Sequence, residues 1–102
     1  MPVARMLVYT NPSSEADLDA FNEWYDTVHI PEIVEKVDGV TGAERFLTTG
    51  TGRYRSLAVY DIDSDDPAAI PARLGQLMQT GQLTTTSALA PDARIEVLVA
   101  PQ

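Results

Sequence analysis

Residues 3–10, VARMLVYT, place Val3, Leu7 and Tyr9 on one side of an extended chain and Ala4, Met6 and Val8 on the other, and Asn11-Pro12 closes the run. That is the pattern of a strand. Beyond it the apolar period lengthens. Ser13 or Ser14 offers a helix N-cap, Glu15 and Asp17 occupy a first turn that favours acids, and Leu18, Phe21, Tyr25 and Val28 share one helical arc. Gly39 ends this helical region. Residues 40–49 then read as a strand, Gly50-Thr51-Gly52 as a turn and residues 53–63 as a third strand, so the pair forms a hairpin. Asp65-Asp66-Pro67 caps a second helix carrying Ile70, Leu74, Leu77 and Met78 at i, i+4, i+7 and i+8, although Pro71 leaves its start ambiguous. The helix ends near Gly81. A polar connection, TGQLTTTSALAPDA, leads to a last strand over residues 94–100.

The order β-α-β-β-α-β predicts one α+β domain over residues 1–102, a ferredoxin-like antiparallel sheet with two helices on one face. The third strand repeats the lesson of the first, with Leu57 and Val59 opposed to Ala58, Tyr60 and Ile62. Both faces of the sheet are therefore apolar, and two helices cover only one. A homodimer packing the bare faces together is the simplest remedy.

Composition narrows the partners. Fifteen Asp and Glu against seven Lys and Arg give a net charge of −8, which repels phosphate backbones and anionic lipid, so neither nucleic acid nor membrane is expected. No apolar run approaches the ~20 residues of a membrane span, and the opening residues lack a secretory pattern, so a cytoplasmic location is expected. With no Cys and a single His, one chain offers no thiolate chemistry and no multi-histidine metal site, and no metal or cofactor is expected. The acidic run DIDSDD lacks the spacing and glycine of a calcium loop.

The chemistry concentrates in FNEWYDTVHIPE, residues 21–32, which holds the only Trp and the only His. On a regular helix Asn22 and His29 lie on one edge of the apolar arc and Trp24 on the other. Pro31 has no N–H for the Thr27 carbonyl and drives Ile30 out of helical geometry, so the helix is expected to kink or restart there, opening a pocket beside His29. Two readings of His29 stand: a proton-transfer group oriented by Tyr25, or a structural imidazole bonded to the carbonyl that Pro31 frees. Trp24, Tyr9 and Tyr60 are candidate pocket walls or plain core. Arg45 is a candidate anchor for a carboxylate or enol oxygen, or a salt-bridge partner.

The first strand ending in Asn-Pro, followed by FNEWYDTVHIPEIVEKVDGVTGAERF with its W-Y-x-x-x-H-x-P-E segment, resembles the N-terminal signature of EthD-like proteins in the dimeric α/β-barrel superfamily. About half the chain carries the resemblance. It implies a dimeric α/β barrel with a pocket between helices and sheet, and His29 at the position of the pocket histidine. Cyclases and isomerases of the superfamily bring further histidines from the strands; this chain has none, which excludes a two-histidine mechanism. The expected function is a cofactor-independent cyclase, isomerase or lyase acting on a small, apolar, polyketide- or lactone-like molecule. His29 would abstract a proton, Tyr25 or Arg45 would stabilise the enolate, and Tyr9, Asn22, Trp24 and Tyr60 would bind or shape the substrate. The alternative is a non-catalytic small-molecule-binding or accessory protein of an oxidative or biosynthetic pathway.

Overall fold

The computed structural model describes residues 3–49 and 52–101. Four antiparallel strands, β1 (Ala4–Thr10), β2 (Val40–Leu47), β3 (Ser56–Ile62) and β4 (Arg94–Val99), form one sheet in the order β2-β3-β1-β4. This is the ferredoxin-like α+β arrangement that the alternating pattern predicts. The predicted β2–β3 hairpin is present, although Gly50 and Thr51 of its expected turn lie outside the described residues. The sheet's central pair fixes the core: Met6 lies opposite Tyr60 and Val8 opposite Ala58, all four buried beneath the helices. A one-residue slip would turn this set outward, so burial of one face locks the register.

The first helical unit comprises a 3₁₀ turn (Glu15–Asp17), α1 (Leu18–Trp24), a π turn (Tyr25–His29) and α2 (Ile30–Lys36). Ser14 stands at its N-cap, yet its hydroxyl donates to the Asp17 carboxylate at 2.8 Å and caps no backbone N–H. The expected disruption at Pro31 takes another form. Ile30 keeps helical dihedrals (φ −61°, ψ −48°) and its N–H reaches back five residues to the Tyr25 carbonyl. A widened turn gives the proline ring room that a 3.6-residue turn denies, so the chain absorbs Pro31 without breaking and α2 restarts around it.

That extra residue has a geometric consequence. At about 100° per residue, side chains five apart on an α-helix diverge by roughly 140°. Across the i→i+5 turn they come back into line, and Trp24 and His29 stack with centroids 4.2 Å apart and planes inclined 21°. Trp24 therefore sits with His29 and not on the opposite edge. Asn22 instead faces Arg45.

Gly39 adopts φ +97°, where a Cβ would meet Ile70 Cδ1 at 2.8 Å, so this turn needs glycine for both backbone and space. The second helix opens as a 3₁₀ turn (Pro67–Ala69) and continues as α3 (Ile70–Gln79), with Pro71 in the first turn where its missing N–H costs nothing. Residues 80–93, expected only as a polar connection, form a docked strap. Leu83 and Ala88 are buried, Ser13 N–H donates to the Ala88 carbonyl at 2.7 Å, and Ala90 N–H donates to the Asn11 carbonyl at 2.9 Å. No described helix is long and apolar enough to cross a membrane.

The helix-free face carries Leu7, Tyr9, Leu57 and Val59 along its centre, half-buried at most, with Phe46 48% and Leu98 47% exposed at its flanks. An Arg5–Asp61 ion pair at 2.9 Å lies at one end of this stripe.

Candidate functional site

A cavity of about 180 Å³ opens between the β1–β4 half of the sheet, the π turn, α3 and the strap. Val8, Thr10 and Ile95 come from the strands, Tyr25 and His29 from the π turn, Pro71, Leu74, Gly75 and Met78 from α3, and Leu89 and Ala93 from the strap. Alternation places Val8 and Thr10 inward, and the i, i+4 pair Leu74 and Met78 faces them from α3. Between those two, Gly75 withholds a side chain; a Cβ there would meet nothing within 4 Å.

His29 is only 6% exposed, and its Nδ1 is buried with no hydrogen-bond partner among the described residues. What exposure the ring has belongs to its other atoms. Rings hold it instead: Trp24 stacks on one face and Tyr25 meets it edge-on at 5.1 Å. Burial dominates its protonation and lowers the pKa from 6.5 to about 4, with the Glu32 carboxylate pulling weakly the other way. The imidazole is neutral at pH 7. The structural reading, a bond to the carbonyl freed by Pro31, does not use Nδ1.

The hydroxyls of Thr10 and Tyr25, which line the cavity, and of Tyr60 are buried, and none makes a hydrogen bond of proper geometry among the described residues. Burial raises the pKa of Tyr25, and the neighbouring Thr10 and Tyr60 hydroxyls and the Arg45 cation temper the rise. Tyr60 is raised much further, first by burial and then by Tyr25 beside it. Both phenols are therefore neutral donors at any working pH.

The structure brings His29 and Tyr25 together on the cavity wall and seats Tyr60 below them. Other residues singled out from the sequence stand apart. Arg45 reaches Asp26 Oδ1 at 2.7 Å, Asn22 Oδ1 at 2.7 Å and Ser56 Oγ at 2.9 Å, and its guanidinium lies 5.0 Å from the Tyr25 ring centre. With those donors engaged, Arg45 and Asn22 brace the outer side of Tyr25 and do not line the cavity. Tyr9 lies on the helix-free face against Tyr54, at 5.7 Å. Trp24 backs His29 without lining the cavity.

Thr10, the α3 ridge and the strap residues escape a sequence reading. Thr10 looks like the end of a strand. Only the i, i+4 pair Leu74 and Met78 around a small Gly75 hints at a helix leaving space.

No family model matches the sequence, and no curated protein does. Two solved structures share the architecture. One is an ethyl tert-butyl ether D (EthD) family protein from Bacillus halodurans C-125, with 16% identity, covering 100% of this chain and 99% of that one at a TM-score of 0.54. The other is a dimeric ferredoxin-like protein from an uncultured marine organism, with 11% identity, covering 100% and 98% at a TM-score of 0.60. The fold of this chain is therefore EthD-like, a ferredoxin-like α+β arrangement.

Proposed function

We propose that the cavity binds a small, uncharged, largely apolar molecule bearing a carbonyl-type oxygen, and that the protein acts on it as a cofactor-independent cyclase, isomerase or lyase. One observation carries the reading: a neutral imidazole whose Nδ1 has no partner among the described residues stands on the wall of an apolar cavity lined by no charged side chain. The cavity is smaller than the roughly 300–1,000 Å³ of pockets that enclose drug-sized ligands, which suits a compact lactone or a polyketide fragment. An anionic ligand would be desolvated there without a counter-charge, since Arg45 is engaged elsewhere. With Nδ1 covered, Nε2 is the nitrogen left to meet the ligand and take a proton next to its carbonyl. Tyr25, from the same wall, is the candidate to hold the developing enolate.

A second reading, a non-catalytic binding or accessory protein, draws on the depressed basicity of His29. A base with a pKa of about 4 is well below the range near the working pH where proton transfer is most efficient. In that reading the imidazole only exchanges a hydrogen bond with its ligand.

Exchange of the protons next to the carbonyl of cyclohexanone, followed in deuterated water, separates the two. The catalytic reading predicts that the protein accelerates this exchange and that His29→Gln slows it by roughly 10²–10⁴-fold with little change in probe affinity. Saturable binding without accelerated exchange supports the binding-protein reading and overturns the catalytic one.

We also propose that the helix-free face pairs two copies into a homodimer, for which its apolar centre and the dimeric nature of one structural relative are the support. Such a cysteine-free, acidic protein suits the cytoplasm.

A further inference from the structure

Glu32 follows directly on Pro31 in the first turn of α2 and grips the strap 52 residues ahead. Its Oε1 accepts from the Thr84 N–H at 2.8 Å and its Oε2 from the Thr84 hydroxyl at 3.0 Å. The Thr84 carbonyl in turn accepts from Trp24 Nε1 at 3.2 Å. One strap residue thus presents two donors and an acceptor to the first helical unit, while its neighbour Leu83 is buried as an anchor. Lys36 adds to the grip, reaching the Gln82 carbonyl at 2.8 Å and Glu32 Oε2 at 3.6 Å. The far end of the strap is tied to the exit of β1 through Ser13, whose hydroxyl donates to the Ser87 carbonyl at 2.6 Å.

We propose that Glu32, Thr84 and Trp24 form a latch that positions His29 and holds the strap as a wall of the cavity, with Glu32 and Trp24 as positioning residues. With Nδ1 unpartnered, the imidazole owes its orientation to ring contacts, chiefly the 4.2 Å stack on Trp24. The tilt of the indole is set by its Nε1 bond to Thr84, and Thr84 is set by Glu32. The same strap carries Leu89 and Ala93 to the cavity. In these terms the W-Y-x-x-x-H-x-P-E segment has a division of labour. Trp, five residues before His, stacks through the π turn, Pro restarts the helix, and Glu catches the strap. The inference rests on the reading of His29 as a ligand contact, but its first readout needs no ligand.

The test uses the full chain with labelled histidine and backbone amides, and cyclohexanone as the uncharged probe. In Glu32→Ala, the Thr84 amide is expected to exchange with solvent about tenfold faster or more. The His29 ring signals should shift toward those of an unstacked imidazole, and the probe's Kd should rise about tenfold, while unfolding stays cooperative. Glu32→Gln should restore all three, because the Thr84 hydroxyl can reverse and accept from the new amide. Faster Thr84 exchange with unmoved His29 signals overturns the proposal and leaves Glu32 as a tether of the strap alone. Should Glu32→Ala fail to fold, Trp24→Phe carries the same question: a weakened probe Kd with Thr84 still protected supports the latch, and an unchanged Kd overturns it. The underlying ligand reading fails separately, if cyclohexanone shows no saturable binding to the parent protein.

Discussion

Lowering the pH from 7 to 4 should cost the protein about 3 kcal/mol of folding stability that a His29→Phe variant does not lose. The imidazole titrates near 6.5 when the chain is unfolded and near 4 in the folded protein, where burial opposes the charged form. Between those values the unfolded chain binds a proton that the folded one does not, so stability falls as pH falls. The neutral ring's contribution is complete above pH 6.5, declines through the window and levels off below pH 4. At about 1.36 kcal/mol per pKa unit the displacement is worth on the order of 3 kcal/mol. Phenylalanine keeps a ring on Trp24 and removes the titration, so the difference in denaturant stability between the two proteins isolates His29 from the fifteen acidic side chains that both share. Parallel stability–pH curves would show that His29 protonates without penalty and is not enclosed as described.

A comparable loss is expected at the sheet. Val59 lies at the centre of the helix-free face, beside Leu7 on β1 and opposite Glu44 on β2. If two copies pair through this face, Val59→Glu buries two carboxylates near the symmetry axis, each beside the like charge of Glu44, and the dimer should weaken by at least about 100-fold, or roughly 3 kcal/mol. Sedimentation equilibrium at micromolar concentration should show twice the chain mass for the parent and a single chain for the variant, with stability that depends on concentration only in the parent. A parent that sediments as one chain and unfolds independently of concentration contradicts the pairing.

What the sequence made legible follows from how local each signal is. Alternation along Ala4–Thr10 and Ser56–Ile62 marks strands because burial of Met6 and Tyr60 depends on nothing beyond a period of two. The second helix is equally plain from Ile70 and Leu74. Pro31 signalled a restart in the right place, since it lies in the first turn of α2, but Ile30 stays helical because a helix can widen as well as break. That choice reversed the side on which Trp24 falls. Arg45 was ambiguous for a different reason. A cation among apolar neighbours can await a ligand or meet its own acids, and only the approach of Asp26 and Asn22 from α1 and the π turn decides between them. The strap was the least legible part. Its order comes from Asn11, Ser13, Glu32 and Trp24, residues far away along the chain, and no local pattern in TGQLTTTSALAPDA encodes those partners.

The central claim, that a small uncharged molecule occupies the cavity against His29, is tested most directly by intermolecular nuclear Overhauser effects to bound cyclohexanone. The account predicts cross-peaks from the probe to Leu74, Met78 and Leu89 and to the His29 ring, with the imidazole neutral at pH 7 in the same sample. Cross-peaks confined to Leu57, Val59 and Phe46 on the helix-free face, or none at a saturating probe concentration, would contradict it.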